Sequence, residues 1–332
     1  MDTQQINKII EILGPLRVFE NESLSKHTYF KIGGPAKLFF ETNSIDDLRL
    51  ALKTACEANI PYVVLGGGAN VLVSEKGFAG LVIKNKASAI KLIGVKGTIG
   101  KNGRGIKSAL VWSASGTLMN QLARFTIDQS LKGLEFLLSV PGTVGGGIKI
   151  NAHFEVEKNE FIGNMLVSAA LFDTANNTIK NVDKQYFEFS YDHSKIQNTN
   201  EVVLEAVFKL EATLDKEALW AKAMDDVKRR NLEQPIGIAC SGCIFRNISN
   251  EDAIRLNTPN LTGSTGYIIE KLGLKGLKMG AAQISPKHAN YILNLNEASS
   301  DDVLKLINLI KTKAKQNYNL DLKEEIFYIG DF

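Results

Sequence analysis

Cysteine is scarce in this chain: three occur in 332 residues, at Cys56, Cys240 and Cys243. An odd, low count excludes a disulfide-framed secreted scaffold. The four histidines are scattered and there is no second cysteine pair, so no metal is expected. Charge of one sign is lacking too. With 39 basic and 36 acidic side chains the formal net charge is +3, and neither nucleic acid nor an anionic membrane is an expected partner. The densest basic run, Lys228-Arg229-Arg230, abuts Asp225 and Asp226 and reads as solvated helix surface. No apolar run approaches the ~20 residues of a membrane span. The opening MDTQQINKIIEILG has no basic segment followed by an apolar one, so it does not read as a targeting signal. A cytoplasmic protein with no membrane insertion, monomeric by default, is the expectation.

What is present is enough apolar composition, 44%, for more than one domain. KLFFE at 37–41 reads as a strand, followed by a capping box from Ser44 to Asp47. Ile45, Leu48, Leu52, Ala55 and Cys56 then recur at helical spacing, which makes Cys56 a core residue. YVVL at 62–65 is the next strand, and LVI at 81–83 is expected to close the small sheet. A short helix is predicted around Thr117–Phe125, then strands at 165–172 and 202–210. A charged helix near 215–230 ends before Pro235 and Gly237. Residues 299–318 form an amphipathic helix capped by Ser299 with Asp302, its face carrying Val303, Leu304, Ile307 and Ile310. EEIFYIG follows as a closing strand. The map is α+β throughout, in three regions: 1–85, 86–210 and 211–332.

Between two apolar runs stands YVVLGGGANVLVS, 62–74. Glycine permits backbone angles and a close approach that a side chain forbids, and three in a row suggest something large against bare main chain. GGGAN is not GxGxxG, and extended chain rather than a long helix follows it, so the dinucleotide-wrapping βαβ fingerprint fails. No GK[ST] closes a Walker A loop. A pyrophosphate held between this loop and a second glycine-rich loop, PGTVGG at 141–146, fits better. Tight sheet turns are the alternative for either loop taken singly.

These stretches, with HTYFKIGGPA (27–36), GLEFLLSVPGTVGGGIKINA (133–152), SGCIFRN (241–247), GLKGLKMGAAQISPKHANYILN (273–294) and DLKEEIFYIG (321–330), resemble the UDP-N-acetylenolpyruvoylglucosamine reductase (UDP-N-acetylmuramate dehydrogenase) family in its shorter form. The resemblance runs in order from about residue 20 to the C-terminus. It implies a two-part FAD-binding module of the vanillyl-alcohol-oxidase type, with subdomains 1–85 and 86–210, and an α+β substrate-binding domain, 211–332. It also implies NADPH-dependent reduction of UDP-N-acetylglucosamine enolpyruvate to UDP-N-acetylmuramate in peptidoglycan precursor synthesis, and hence a part in cell-wall biogenesis, cell shape and division. FAD is implied against Gly66, Gly67, Gly68, Ala69, Asn70, Val71, Pro141, Gly142, Thr143, Gly145, Gly146 and Asn151. In such enzymes hydride passes from the nicotinamide to FAD and on to the enolpyruvyl double bond. An acid must then protonate the neighbouring carbon.

Cys243 stands where the family has its serine proton donor, and a thiol can deliver that proton. The CSGC spacing with Cys240 also admits a redox pair, and the bland reading of Cys243 is a buried structural cysteine. Glu325 matches the family carboxylate that helps polarise or protonate the intermediate. Asp192 occupies the place of a family arginine that would hold the substrate carboxylate, and there it would repel one. His153, Phe154 and Glu155 replace small residues after Asn151-Ala152, and Glu233 stands where a lysine is common. Two further readings therefore stay open: the same fold with a changed substrate, and a non-catalytic FAD-binding relative.

Overall fold

The computed structural model describes residues 1–100, 103–155 and 157–332. In chain order the first elements are α1 (Thr3–Leu13), β1 (Val18–Ser23), β2 (Pro35–Thr42), α2 (Ile45–Glu57), β3 (Tyr62–Leu65), β4 (Val71–Val73) and β5 (Phe78–Asn85). Then come β6 (Ile90–Gly100), β7 (Gly103–Ala114), α3 (Met119–Asp128), β8 (Leu131–Lys132), α4 (Val144–Ile150), α5 (Ile162–Met165), β9 (Leu166–Asp173), β10 (Thr178–Asp183) and β11 (Glu201–Ala212). The last part holds α6 (Lys216–Glu233), α7 (Asn250–Arg255), α8 (Thr265–Lys271), β12 (Lys278–Met279), β13 (Ala282–Ile284), β14 (Ile292–Asn294), α9 (Ser300–Tyr318) and β15 (Phe327–Ile329). Among the described residues no helix is long and apolar enough to cross a membrane.

The chain divides into two interleaved compact units. Unit 1 comprises Met1–Glu20, Leu38–Gly67 and Gly80–Arg230; unit 2 comprises Asn21–Lys37, Gly68–Ala79 and Asn231–Phe332. The division falls inside the GGG run, between Gly67 and Gly68.

Unit 1 is built on two sheets. The smaller has the order β1-β2-β5-β3, so β5 lies between β2 and β3 instead of closing an edge. Its central place explains the near-continuous burial of β5, since an inner strand must be apolar on both faces. Leu48, Leu52 and Ala55 of α2 pack on Leu38, Phe40, Leu81 and Ile83, and Ile6, Ile9 and Leu13 of α1 join that core. Cys56 is only half-buried. Ser44 caps α2 by accepting from the Asp47 N–H at 3.0 Å, but Asp47 does not return the bond. Its carboxylate accepts instead from Arg17 at 2.9 and 3.0 Å and from the Asn43 N–H at 3.1 Å.

The larger sheet runs β10-β9-β11-β7-β6, with β8 added to β11. Among the described residues its strand pairings are antiparallel. Val111, Ala169, Leu171, Ala206 and Phe208 meet Leu122, Val144, Ile148 and Ile162 of α3, α4 and α5 in one core. This core holds α4 in place.

In unit 2, α9 lays Val303, Leu306, Ile307, Ile310 and Ala314 on Ile284, Ile292 and Leu72. Its N-terminus carries the full reciprocal box between Ser299 and Asp302. β15 pairs in parallel with β4, Phe327 opposite Val71, and the three-stranded β12-β13-β14 sheet lies elsewhere in the unit.

Candidate functional site

The two glycine-rich segments meet inside unit 1. A Cβ on Gly66 would lie 2.3 Å from Thr143 Oγ1, and one on Gly67 would lie 2.8 Å from the Gly142 Cα. What lies against these two bare residues is therefore, first, the other loop. The second segment is not only a loop. From Val144 it is α4, a helix of seven residues, three of them glycine. Two of those glycines have room for little more. A Cβ on Gly145 would stand 3.0 Å from Ser115 Cβ, and one on Gly147 2.7 Å from Met119 Sδ. The Val144 and Gly145 amides donate to the Thr117 and Ser115 carbonyls, both at 2.8 Å, and the Met119 amide donates to the Gly142 carbonyl at 3.0 Å. Main-chain hydrogen bonds thus tie the second segment to the residues after β7.

Beside it is a cavity of about 360 Å³, within the range of small-ligand sites, about 300 to 1,000 Å³. Gly66, Thr143, Gly145, Gly146 and Lys149 form one part of its wall; Tyr62, Val63, Val64, Val202 and Val203 form another. Asn85 also lines it. Its Oδ1 accepts from Thr42 Oγ1 and the Ala87 amide, both at 3.1 Å, and its Nδ2 donates to Ser115 Oγ at 2.9 Å. A wall part apolar and part polar, beside close-packed glycine backbone, suits a nucleotide-bearing cofactor. Sequence reading found the glycines but not Lys149, Asn85 or the 199–203 segment. The signal for Lys149 was a lysine in an otherwise glycine and apolar run.

Asn151 ends α4 in the left-handed conformation, φ 51°. Its side chain is engaged at both ends: Nδ2 donates to the Ser190 carbonyl at 3.0 Å, and Oδ1 accepts from the Gly163 amide at 3.1 Å. Ser194 Oγ and Gln197 Nε2 both donate to the Lys149 carbonyl, at 2.6 and 2.9 Å. The 190–197 loop is thus stitched to α4.

At the tip of that loop Asp192 sits at φ 49°, buried, with its Oδ1 3.5 Å from Nδ1 of His153. The rings of Phe161 and Tyr191 lie 5.2 and 5.1 Å from the imidazole. Burial pushes the His153 pKa below its ordinary value, and Asp192 opposes that shift only in part. Two of the departures read from the sequence, His153 and Asp192, are therefore one contact.

The third residue of the HFE stretch answers the KRR run. Arg229 pairs with Glu155, bonds Asp226 at 2.8 Å, and lies over the Phe154 ring at 5.0 Å. Arg229 is thus a docking residue of α6, not solvated surface. Lys222, two turns earlier, bonds Glu160 at 2.9 Å and reaches Glu135 at 3.8 Å. Burial raises the Asp226 pKa, with Glu160 adding to the shift.

Unit 2 holds the remaining sequence-predicted residues. Gly68 has φ 76°, and a Cβ there would lie 2.3 Å from the His27 carbonyl oxygen. Ala69 leads to Asn70, whose Nδ2 donates to the Glu325 carbonyl at 3.2 Å and whose carbonyl accepts from the Phe327 amide at 3.1 Å. Cys243 bridges Tyr291 in antiparallel fashion. One residue on, the Ile244 carbonyl accepts from the Glu325 amide at 2.8 Å. Phe245 bridges Glu324. Cys243 and Glu325, 82 positions apart by their numbers, are therefore carried on paired extended segments. Asn290, which sequence reading missed, fixes this pairing. It is buried, its Oδ1 accepts from the Phe245 amide at 3.0 Å, and its Nδ2 donates to the Phe245 carbonyl at 2.7 Å. Gly242 precedes Cys243 at φ 82°, where a Cβ would meet nothing within 4 Å. All three cysteines are half-buried thiols.

Comparison with known proteins places these units. Residues 36–183 match the model of an FAD binding domain, and residues 234–329 match the C-terminal domain of UDP-N-acetylenolpyruvoylglucosamine reductase. The reductase of Clostridium novyi (strain NT) is 33% identical over 98% of this chain and 97% of its own length. That of Clostridium tetani (strain Massachusetts / E88) is 31% identical over 98% and 96%. The crystal structure of UDP-N-acetylenolpyruvylglucosamine reductase from Thermus caldophilus is 28% identical and superposes with a TM-score of 0.73 over 95% of this chain and 99% of that one. With a two-part FAD-binding module of the vanillyl-alcohol-oxidase type and its C-terminal α+β domain, the chain belongs to the UDP-N-acetylenolpyruvoylglucosamine reductase family of flavin oxidoreductases.

Proposed function

We propose that this chain uses FAD and NADPH to reduce the enolpyruvyl double bond of UDP-N-acetylglucosamine enolpyruvate, yielding UDP-N-acetylmuramate in the cytoplasm. The observation that carries the reading is the pairing of the Cys243 and Glu325 segments, with Asn70 of the first glycine loop bonded to the Glu325 backbone. FAD, when bound, supplies the hydride-transfer chemistry that no side chain offers. The residues to hold it are Gly66–Val71, Pro141–Thr143, Gly145, Gly146 and Asn151, within subdomains 1–85 and 86–210. The rest of the chemistry falls to side chains of the 211–332 region. The Cys243 thiol gives its proton to the carbon next to the substrate carboxylate, and the Glu325 carboxyl polarises the developing charge. Asp192 acts through His153, as a positioning residue that holds the 190–197 loop.

One observation favours a second reading, the same chemistry on a less anionic substrate. At residue 192 a buried acid paired with an imidazole stands in place of a cation. Anaerobic stopped-flow spectroscopy separates the two. The flavin is reduced by NADPH and the enolpyruvyl nucleotide is then added. Prompt reoxidation is expected. Tight binding without reoxidation would reject the substrate and favour the second reading.

A further inference from the structure

The net charge of +3 conceals a segregation. Residues 80–127 hold eight basic side chains and no acidic one, and the rest of the chain holds 31 basic against 36 acidic. Lys91, Lys96 and Lys107 of this stretch stand exposed on the β6–β7 hairpin, and β6 is an edge of the larger sheet. Ala109 and Val111 of β7 point into the core of unit 1. Leu110 and Trp112 therefore point the other way, since side chains alternate along a strand. Register then assigns their neighbours. On one side Lys91 stands opposite Trp112, Gly94 opposite Leu110 and Lys96 opposite Ser108; on the other, Val207 and Lys209 of β11 stand opposite Trp112 and Leu110. Lys91 and Lys96 are an odd number of positions apart and would fall on opposite faces of a regular strand. The register shift between Leu92 and Gly94 inserts Ile93 as an extra residue and brings both lysines to one face.

The result is an outward face with an apolar centre, half-buried Trp112, Leu110 and Val207, and cations around it. Lys91 Nζ lies 5.3 Å from the centroid of the Trp112 ring, and Ile93 is 51% exposed. The acidic residues of β11 on this face are Glu211, bonded to Lys132 at 2.9 Å, and Glu205, opposite Ala114 at the end of β7. Lysines around aliphatic and indole surface, with the acids neutralised or peripheral, complement a surface that is anionic outside and apolar beneath. Nucleic acid fits less well, because bases stack on open aromatic faces and the ring of Trp112 lies under Lys91.

We propose that the outward face of β6, β7 and β11 is a docking surface for an anionic lipid bilayer. The lysines meet the headgroup phosphates, and Ile93 and Trp112 enter the interface between them. The surface lies wholly within unit 1 and is independent of the flavin reading.

The test mixes the full chain with vesicles of phosphatidylcholine, with and without phosphatidylglycerol, and follows sedimentation and tryptophan emission. Trp220 is the other tryptophan, so the emission of Trp112 is read in Trp220→Phe. Binding to the phosphatidylglycerol vesicles is expected at low salt, with a blue shift of Trp112 and quenching by brominated acyl chains, and phosphatidylcholine alone should bind little. Lys91→Gln should weaken partitioning about fivefold, and Lys91→Gln with Lys96→Gln about 30-fold. Ile93→Ser should weaken it a few-fold. The unaltered chain supplies a check free of any substitution: raised salt should release it from the vesicles. No binding, equal binding to both vesicles, an unshifted Trp112, or lysine variants that melt and bind as the parent does would each overturn the proposal. Tighter binding to a single-stranded oligonucleotide than to phosphatidylglycerol vesicles would overturn it in favour of nucleic acid.

Discussion

The two units hold their candidate residues by different means. In unit 1 the cradle depends on backbone lying against backbone, with Gly67 over Gly142 and α4 tied to the Ser115 and Thr117 carbonyls. In unit 2 Cys243 and Glu325 are carried on a β pairing, Ile244 with Glu325, braced by Asn290. A cradle made by close approach tolerates no added atom. A pairing made through main-chain hydrogen bonds tolerates a changed side chain, since the bonds do not pass through it. The difference lets a side chain such as that of Cys243 vary where Gly67 cannot.

The largest expected effect breaks the cradle. Gly67→Ala puts a Cβ 2.8 Å from backbone that cannot swing aside, and purified protein should lack its visible flavin absorbance, with FAD affinity down more than about 100-fold. Gly66→Ala meets the rotatable Thr143 hydroxyl instead and should lose less; equal losses would undo the contrast. Next, Cys243→Ala should slow flavin reoxidation by substrate about 10²- to 10⁴-fold, while NADPH reduces the flavin at an unchanged rate and the melting temperature holds. Full-rate turnover in both half-reactions would remove Cys243 from the chemistry.

Smaller effects bear on the loop clamp of unit 1. Asp192→Asn removes the buried charge beside His153 and should lower stability by about 1–3 kcal/mol in urea denaturation. A variant as stable as the parent would show that the pair does not hold the loop. Last is the pH dependence. Burial lowers the pKa of both His153 and His288 in the fold. The unfolded chain therefore binds these protons first, so stability is full above pH ~6.5 and falls as the pH drops below it. Each group contributes at most about 1.4 kcal/mol per pH unit. His153→Phe should flatten the acid limb of a stability–pH curve by about one group's share, and no change of slope would discount His153.

Legibility in the sequence followed the range of the interaction. The α9 stripe and its Ser299–Asp302 box are local, and both are present. Glycine runs announced close approach but not its partner, because 66–67 and 142–143 meet only in the fold. Helix α1 is not read from the sequence, although its Ile6, Ile9 and Leu13 are buried in the structure. The β6–β7 hairpin also went unread: its exposed Leu92, Ile93 and Val95 break the apolar alternation that marks a half-buried strand. His153 and Asp192 are 39 positions apart by their numbers, and as separate departures each looked like damage. The contact shows them as partners. For Arg229 the acidic neighbour Asp226 was in view, but Glu155 and Phe154, which dock it, lie more than 70 positions upstream.

The three glycines of α4 have a further consequence, for how the molecule comes together. Glycine disfavours a helix by about 1 kcal/mol per residue relative to alanine, so VGGGIKI has no tendency to coil unaided. It can do so only once the strand-end carbonyls of Ser115 and Thr117 are there to receive its first amides. The expected order of assembly is the antiparallel sheet first and α4 afterwards. In pulse-labelling hydrogen exchange during refolding, the amides of Gly145 and Gly147 would gain protection later than those of β9 and β11.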